Sequence, residues 1–519
     1  MNREEMLGRA VERQTPWDIV IIGGGATGMG VAVDAASRGY DVLLVEQHDF
    51  GKGTSSRSTK LVHGGVRYLE QGAISLVMGA LKERGLLRQN APHLVTDLAF
   101  IVPNYEWWEA PFYGVGLKVY DMLAGRYGFG RSEVLSKEET LARLPTIRTE
   151  GLRGGVVYFD GQFDDARLLI NLTATAVEQG GIVLNYAPAT AVTRGPDGFV
   201  DGVVVRDLES GREFRAAAQV VVNAAGPQSD HVRRLVHPDA EPLIAPSQGI
   251  HLVFDGSFLP GGSAIMVPHT TDGRVMFAIP WHGHTLVGTT DTPIDDASLE
   301  PRPFDDEIEF ILETAGRYLE KPATRDDVLS VFVGIRPLVK AGSSGSTAAL
   351  SRDHTIHIDS SGLLTIAGGK WTTYRHMAED CVDHAATLAR LPEKPCVTRN
   401  LNVHGFHRQA RNFGALSVYG SDALLIQDLI RADPSLAAPL HPALPYCAAE
   451  VVWAARAEMA RTVEDVLARR TRALFLNARA AIEMAPETAR LLAHELGRDA
   501  AWQARDAAAF RELAAGYLV

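Results

Sequence analysis

The stretch from Asp18 to Glu46, DIVIIGGGATGMGVAVDAASRGYDVLLVE, constrains the fold more than any other part of the chain. Ile19 to Ile22 read as a short parallel strand, because an apolar run without alternation has no solvent face. The run enters Gly23-Gly24-Gly25-Ala26-Thr27-Gly28, a G-x-G-x-x-G turn. A small-residue helix follows to Arg38, and Gly39 is placed to end it. Val42 to Val45 make a second strand, with Glu46 at its C-terminal end. Strand, glycine turn, helix, strand and acid in that order are the dinucleotide-binding fingerprint. Gly23, Gly25 and Gly28 let backbone approach a pyrophosphate, whose charge is favoured at the helix N-terminus. Glu46 accepts hydrogen bonds from the ribose hydroxyls of an adenosine. A carboxylate there repels a 2′-phosphate, so NAD or FAD is expected over NADP.

A chain of 519 residues, 46% hydrophobic and 22% charged, has the material for two or three domains. Its formal net charge of −12 argues against a nucleic-acid partner and against general attraction to anionic lipid. Cys381, Cys396 and Cys447 show no C-x-x-C pairing and read as reduced packing residues of a cytoplasmic protein. No grouping of His, Cys, Asp and Glu has metal-ligand spacing, so no metal is expected. Met1–Trp17 is polar, with no signal-peptide core. No run approaches the ~20 apolar residues of a membrane span.

The chain changes texture near residue 400. Residues 17 to about 395 mix glycine turns, short β-branched runs and helices; beyond, helical periodicity dominates. Gly202–Val205, Val220–Asn223 and Leu363–Ala367 read as buried strands near the nucleotide, whereas His251–Phe254, Val275–Pro280 and Thr285–Gly288 read as a separate antiparallel sheet. The expected class is therefore α/β, or α+β overall. A Rossmann-like domain (about 17–90, 151–230 and 350–395) carries an inserted antiparallel-sheet substrate domain (about 91–150 and 231–349). An all-helical domain over 400–519 follows, with Leu391–Gly405 as the linker. Its helices read as a cover for the nucleotide domain or as a dimer contact.

Four later features point to a flavin and an anionic substrate. In TSSRSTKLVHGGVRYLE, the hydroxyls of Thr54, Ser55 and Ser56 and the glycines Gly64 and Gly65 suit a loop against the isoalloxazine and pyrophosphate. In VVVNAAGPQS, Ala224 and Gly226 put small residues where backbone lies close to a ligand. In LLTIAGGKWTTYRHMAED, a strand runs into Gly368-Gly369, and Thr372 or Thr373 caps a helix whose N-terminus favours negative charge on a reduced flavin. Finally Arg67, Arg336, Arg352 and Lys370 stand at the edges of glycine-rich or strand-end segments. Any one alone reads as a surface charge, and together they form a phosphate cage. His251 begins a strand beside a glycine and faces the flavin; His63 braces its loop; His282 and His284 fall in a solvated hairpin turn. No His or Cys adjoins the motif in a way that implies a covalent flavin link.

The ordered series GGGATGMG, SSRSTKLVHGGVRYLE, FDDARL, VVNAAGP, GTTD, GIRPL, SRDH and GGKWTTYR resembles the FAD-dependent glycerol-3-phosphate dehydrogenases of aerobic respiration. The resemblance spans about Asp18 to Glu379 and continues more loosely to the C-terminus. It implies non-covalent FAD, transfer of a hydride from C2 of glycerol 3-phosphate to flavin N5, and release of dihydroxyacetone phosphate. Electrons then pass to ubiquinone or menaquinone. It further implies that Arg67, Tyr68, Arg352 and Lys370 hold the phosphate and triol end, and that His251 and Arg336 lie by the reacting carbon. His251 has the better ordinary pKa for a base; Arg336 serves as base only if strongly perturbed, and otherwise stabilises charge. An oxidase passing electrons to oxygen would share this site. The implied location is the cytoplasmic face of the membrane, without a span. Trp107–Arg131, aromatic with a few cations, reads as an interfacial segment or as packed surface. The arginine run Arg461–Arg479 reads as a second such patch or as a solvated helix face.

Overall fold

Apolar runs without alternation need cover on both faces, and the first sheet is built that way. In the computed structural model, residues 1–340 and 354–519 are described, apart from 71, 269, 271 and 272. The sheet order is His354–Ile358, Leu364–Gly368, Glu213–Asn223, Trp17–Ile22, Val42–Val45, Ile182–Leu184. Along this path the last five strands are parallel and the first is antiparallel, and Val200–Arg206 and Ala189–Arg194 extend Glu213–Asn223 as an antiparallel flap. Ile19, Val20 and Ile21 are fully buried. The helix Ala26–Ser37, rich in Ala, Gly and Val, packs closely against Asp165–Glu178 and Tyr374–Leu388. Arg38 is its C-cap and Gly39 follows at positive φ, the geometry expected of that glycine.

The second sheet holds Ile244–Asp255, His284–Gly288, Met276–Trp281, Ala264–Val267, Val95–Asn104 and Gly154–Phe163 in that order, with Ser330–Val339 on the other side of Ile244–Asp255. Its pairings are antiparallel except for Ala264–Val267 beside Val95–Asn104. Those two strands are far apart in sequence, so no hairpin dictates their sense.

The structure adds one element to the sequence reading and corrects two expectations. Met1–Trp17 contains a helix, Arg3–Glu12, capped by the Asn2 side chain. Arg3 is buried and donates to the Asn185 carbonyl at 2.7 Å and to Asp207 at 2.5 Å, so tertiary ion pairing anchors a polar segment. The C-terminal region is a helical bundle of Ala423–Ala432, Ala448–Ala457, Ala478–Leu496 and Ala500–Ala514, yet it is not all-helical. Pro439–His441 and Leu444–Cys447 pair as a hairpin too short to show a period. The middle of the arginine run is neither a solvated face nor a surface patch, although Arg479 stays exposed. Arg469, Arg470 and Arg472 are 2%, 1% and 1% exposed, because the π-turn Asp465–Arg470 turns them toward buried carboxylates of the nucleotide region.

Candidate cofactor cleft and active site

Parallel strands leave a crevice beyond their C-terminal ends. Here a cleft of about 740 Å³ opens past Ile22, Val45 and Asn223. Gly23, Gly25, Glu46, Thr54, Ser55, Ala224, Gly226, Gly368, Gly369 and Lys370 line it. Gly23 has φ +113°, and a Cβ there would stand 2.6 Å from the Ala224 carbonyl oxygen. Gly28 is not a lining residue but makes the turn possible, since a Cβ would stand 1.9 Å from the Gly23 carbonyl oxygen. Glu46 accepts the Gly24 N–H at 2.7 Å and the His48 N–H at 2.9 Å. Burial pushes its carboxyl pKa up, and those two N–H groups pull it back. Each oxygen keeps a lone pair for a further donor. The cleft fits FAD on three counts: a glycine cradle that any side chain would close, an acceptor carboxylate at the strand end, and a long wall reaching Val333–Pro337 and Gly368–Trp371.

Four of the expected cofactor residues act behind the cleft wall. Ser56 is buried, and its carbonyl accepts from Lys60 Nζ at 2.8 Å and Arg472 Nη2 at 2.8 Å. The Gly64 N–H donates to the Tyr120 hydroxyl at 2.8 Å. Gly65 lies against the Tyr68 ring, where a Cβ would meet Cδ2 at 2.6 Å. Thr372 caps no helix; its hydroxyl accepts the His63 N–H at 3.2 Å. Thr373 is the N-cap of Tyr374–Leu388, without a side-chain capping bond. Trp371 Nε1 donates to the Ser55 carbonyl at 2.9 Å, and Thr54 Oγ1 to the Ile335 carbonyl at 2.5 Å. These bonds bring the 54–65, 335–336 and 368–373 segments together.

His251 sits in the middle of Ile244–Asp255, not at its start. It is 3% exposed, stacks on Phe332 with ring centroids 4.8 Å apart, and shares a 2.9 Å hydrogen bond between Nε2 and Thr59 Oγ1. Its other face covers Gly288, where a Cβ would stand 2.3 Å from Cδ2. Burial first, and then the charges of Lys60 and Arg336, hold its pKa well below 6.5. Arg336 donates to Asp291 at 3.2 Å and to the Thr290 carbonyl at 2.9 Å. Lys370 Nζ stands 4.1 Å from the Tyr68 ring centroid. Arg352 lies outside the described residues, as does the side chain of Arg67.

Several residues around this site were missed in the sequence. Lys60 is fully buried and donates to Asp165 at 2.7 Å, within about 5 Å of the Phe332 ring that carries His251. Burial, opposed by Asp165 and aided by Arg472, brings its pKa down to about 7. His282 lies in the exposed hairpin turn as expected, and its Nε2 reaches back to within 2.9 Å of buried Asp164. Burial pushes Asp164 up, but the His282 hydrogen bond and Arg472 outweigh it and lower the pKa. Arg57, on the cleft wall, meets Glu300 with both carboxylate oxygens at 2.9 Å. Arg57 and Lys60 lie within the TSSRSTKLVHGGVRYLE motif and Asp164 and Asp165 within FDDARL, but no spacing links the two runs.

Comparison with known proteins accounts for this arrangement. Residues 18–375 match the family model "FAD dependent oxidoreductase", and residues 364–503 match "C-terminal domain of alpha-glycerophosphate oxidase". The chain is 41% identical over 518 residues to the probable mitochondrial glycerol-3-phosphate dehydrogenase of Caenorhabditis elegans, covering 94% of this chain and 72% of that protein. It is 39% identical over 523 residues to the mitochondrial glycerol-3-phosphate dehydrogenase of Homo sapiens, covering 94% and 72%. Among solved structures, the glycerol-3-phosphate dehydrogenase of Bacillus halodurans complexed with FAD superimposes with a TM-score of 0.80 at 30% identity, over 100% of this chain and 98% of that one. With both family models matched in order along one chain, this protein belongs to the FAD-dependent glycerol-3-phosphate dehydrogenase family and binds FAD non-covalently.

Proposed function

We propose that this protein oxidises sn-glycerol 3-phosphate to dihydroxyacetone phosphate and passes the electrons to a membrane quinone. The observation that carries the reading is that Lys370 and the Ile335 and Pro337 positions that flank Arg336 line the same cleft as the glycine cradle and Glu46. FAD, when bound, supplies the two-electron acceptor. Lys370, with Arg67, Arg352 and Tyr68, binds the phosphate and triol end as point charge, guanidinium fork and ring. His251 is neutral at physiological pH, so an imidazole nitrogen is open to take the C2 hydroxyl proton. Arg336, tied to Asp291, stays charged and steadies the developing carbonyl oxygen. The division into a Rossmann-like domain, a substrate domain and a C-terminal domain at the residues given above belongs to the same reading. Anaerobic glycerol 3-phosphate is expected to bleach the flavin absorbance, and a quinone to restore it much faster than oxygen does. No bleaching overturns the substrate, and faster recovery with oxygen makes the protein an oxidase.

Among the described residues no helix is long and apolar enough to cross a membrane. Contact through a surface is carried by Glu109–Ala124 and the residues before it. The helix buries Tyr113, Leu117, Tyr120 and Ala124, yet Phe112, Val115, Val119 and Met122 also repeat at helical spacing on the open side. Met122 is 81% exposed and Trp107 75%. An apolar stripe on each side of one helix fits a core and a lipid interface. A Val115→Glu, Met122→Glu double variant is expected to stop co-sedimenting with lipid vesicles while keeping its flavin. Undiminished co-sedimentation refutes this surface.

A further inference from the structure

The segment Glu464–Arg472 of the C-terminal region packs against the rim of the cofactor cleft. We propose that this segment is a clasp for the bound flavin: Arg469, Arg470 and Arg472 hold the lip of the cleft from behind and slow the cofactor's escape. The lip is Glu46–Arg57, of which Gly51, Lys52, Gly53, Thr54 and Ser55 face the cleft. It carries only a short 3₁₀ turn, Thr54–Ser56, so its shape depends on outside anchors. Two residues within it point away from the cleft, Asp49 and Ser56, and both are fixed from the C-terminal segment. Asp49 is fully buried and accepts from Arg469 Nε at 2.5 Å and from Arg470 Nη1. The Ser56 carbonyl accepts from Arg472 Nη2 at 2.8 Å, and the same nitrogen reaches Asp165 at 3.1 Å. Between these anchors Lys52, on the lip itself, pairs with Glu464 at 2.7 Å, and Glu464 also pairs with Arg469 at 2.7 Å.

None of the three arginines, nor Glu464, lines the cleft. They are positioning residues: they touch the lip, and the lip touches the cofactor. Buried ion pairs of this kind add little net stability but define one geometry strongly, since a lone buried charge is very costly. The bound cofactor and the anchored lip are therefore coupled, and loosening one loosens the other.

The test uses yellow holoprotein and follows FAD release by the rise in flavin fluorescence on dilution. Arg470→Met and Arg472→Met are expected to release FAD about ten-fold faster, since each removes one of the two donors that hold a buried acceptor on the lip. Arg472→Lys, which keeps a donor near the Ser56 carbonyl, restores part of the retention. Glu464→Gln loosens only Lys52 and Arg469 and is expected to release FAD about three- to ten-fold faster. Arg456→Met, which breaks the exposed Arg456–Glu495 pair elsewhere in the bundle, is the control and leaves release unchanged. If Arg470→Met does not fold, as judged by circular dichroism, Glu464→Gln decides. Wild-type release from folded variants overturns the clasp. Equal acceleration by Arg456→Met also overturns it, because the effect is then general loosening.

Discussion

Thr59→Val removes one hydrogen bond from His251 and leaves the shape of the side chain almost unchanged. The imidazole lies between the Phe332 ring and Gly288, so sterics hold its plane and the Thr59 hydroxyl is left to define its hydrogen-bonding state. The 2.9 Å contact joins two neutral groups in a buried site. Such a bond contributes about 1 kcal/mol net, and stranding the buried ring nitrogen costs about 1–3 kcal/mol. If His251 takes the C2 hydroxyl proton, that loss falls on the transition state, and the rate of flavin bleaching drops about 5- to 150-fold. KM for glycerol 3-phosphate stays within about two-fold, because the phosphate cage is untouched. The assay is anaerobic stopped-flow reduction, with Thr59→Ser expected to recover most of the rate. In a His251→Ala background Thr59→Val should have no further effect. A wild-type bleaching rate in Thr59→Val refutes the role given to Thr59. Full activity in His251→Ala refutes the base itself and turns attention to Arg336.

Gly288→Ala puts a methyl group 2.3 Å from His251 Cδ2, and the ring has Phe332 behind it. The strain is about 1–3 kcal/mol, and kcat should fall while FAD content stays whole; normal kcat would mean that the strand relaxes around the methyl. Because burial and two cations depress the His251 pKa below 6.5, the base stays deprotonated as pH falls, so the acid limb of kcat/KM should lie below pH 6.5. An acid limb above that value, in a full pH–rate profile, removes His251 as the titrating group. Glu46→Ala should weaken FAD by about 1.5–3 kcal/mol for each charge-assisted bond lost. Fluorescence titration of the apoprotein measures it, and unaltered affinity would put the adenosine elsewhere.

The sequence alone determined the parts whose chemistry is local. The Asp18–Glu46 fingerprint is complete within one strand–turn–helix–strand unit, and its spacing specifies the turn because only glycine fits at Gly23 and Gly28. Strand composition separated the parallel sheet from the antiparallel one for the same reason, since burial on one face or two is written into the period of each strand. Tertiary structure alone decided what depends on partners distant in the chain. Ser56, Gly64 and Thr372 read as cofactor contacts because small and hydroxyl residues suit a ligand, and only the fold shows that Arg472, Tyr120 and His63 also hold them from the protein side. The arginines 469, 470 and 472 read as a surface patch or solvated face, and Lys60 drew no reading, because charged side chains usually remain in water. Their burial follows from carboxylates brought from hundreds of residues away: Asp49 and Asp165 neutralise cations that would be too costly to bury alone.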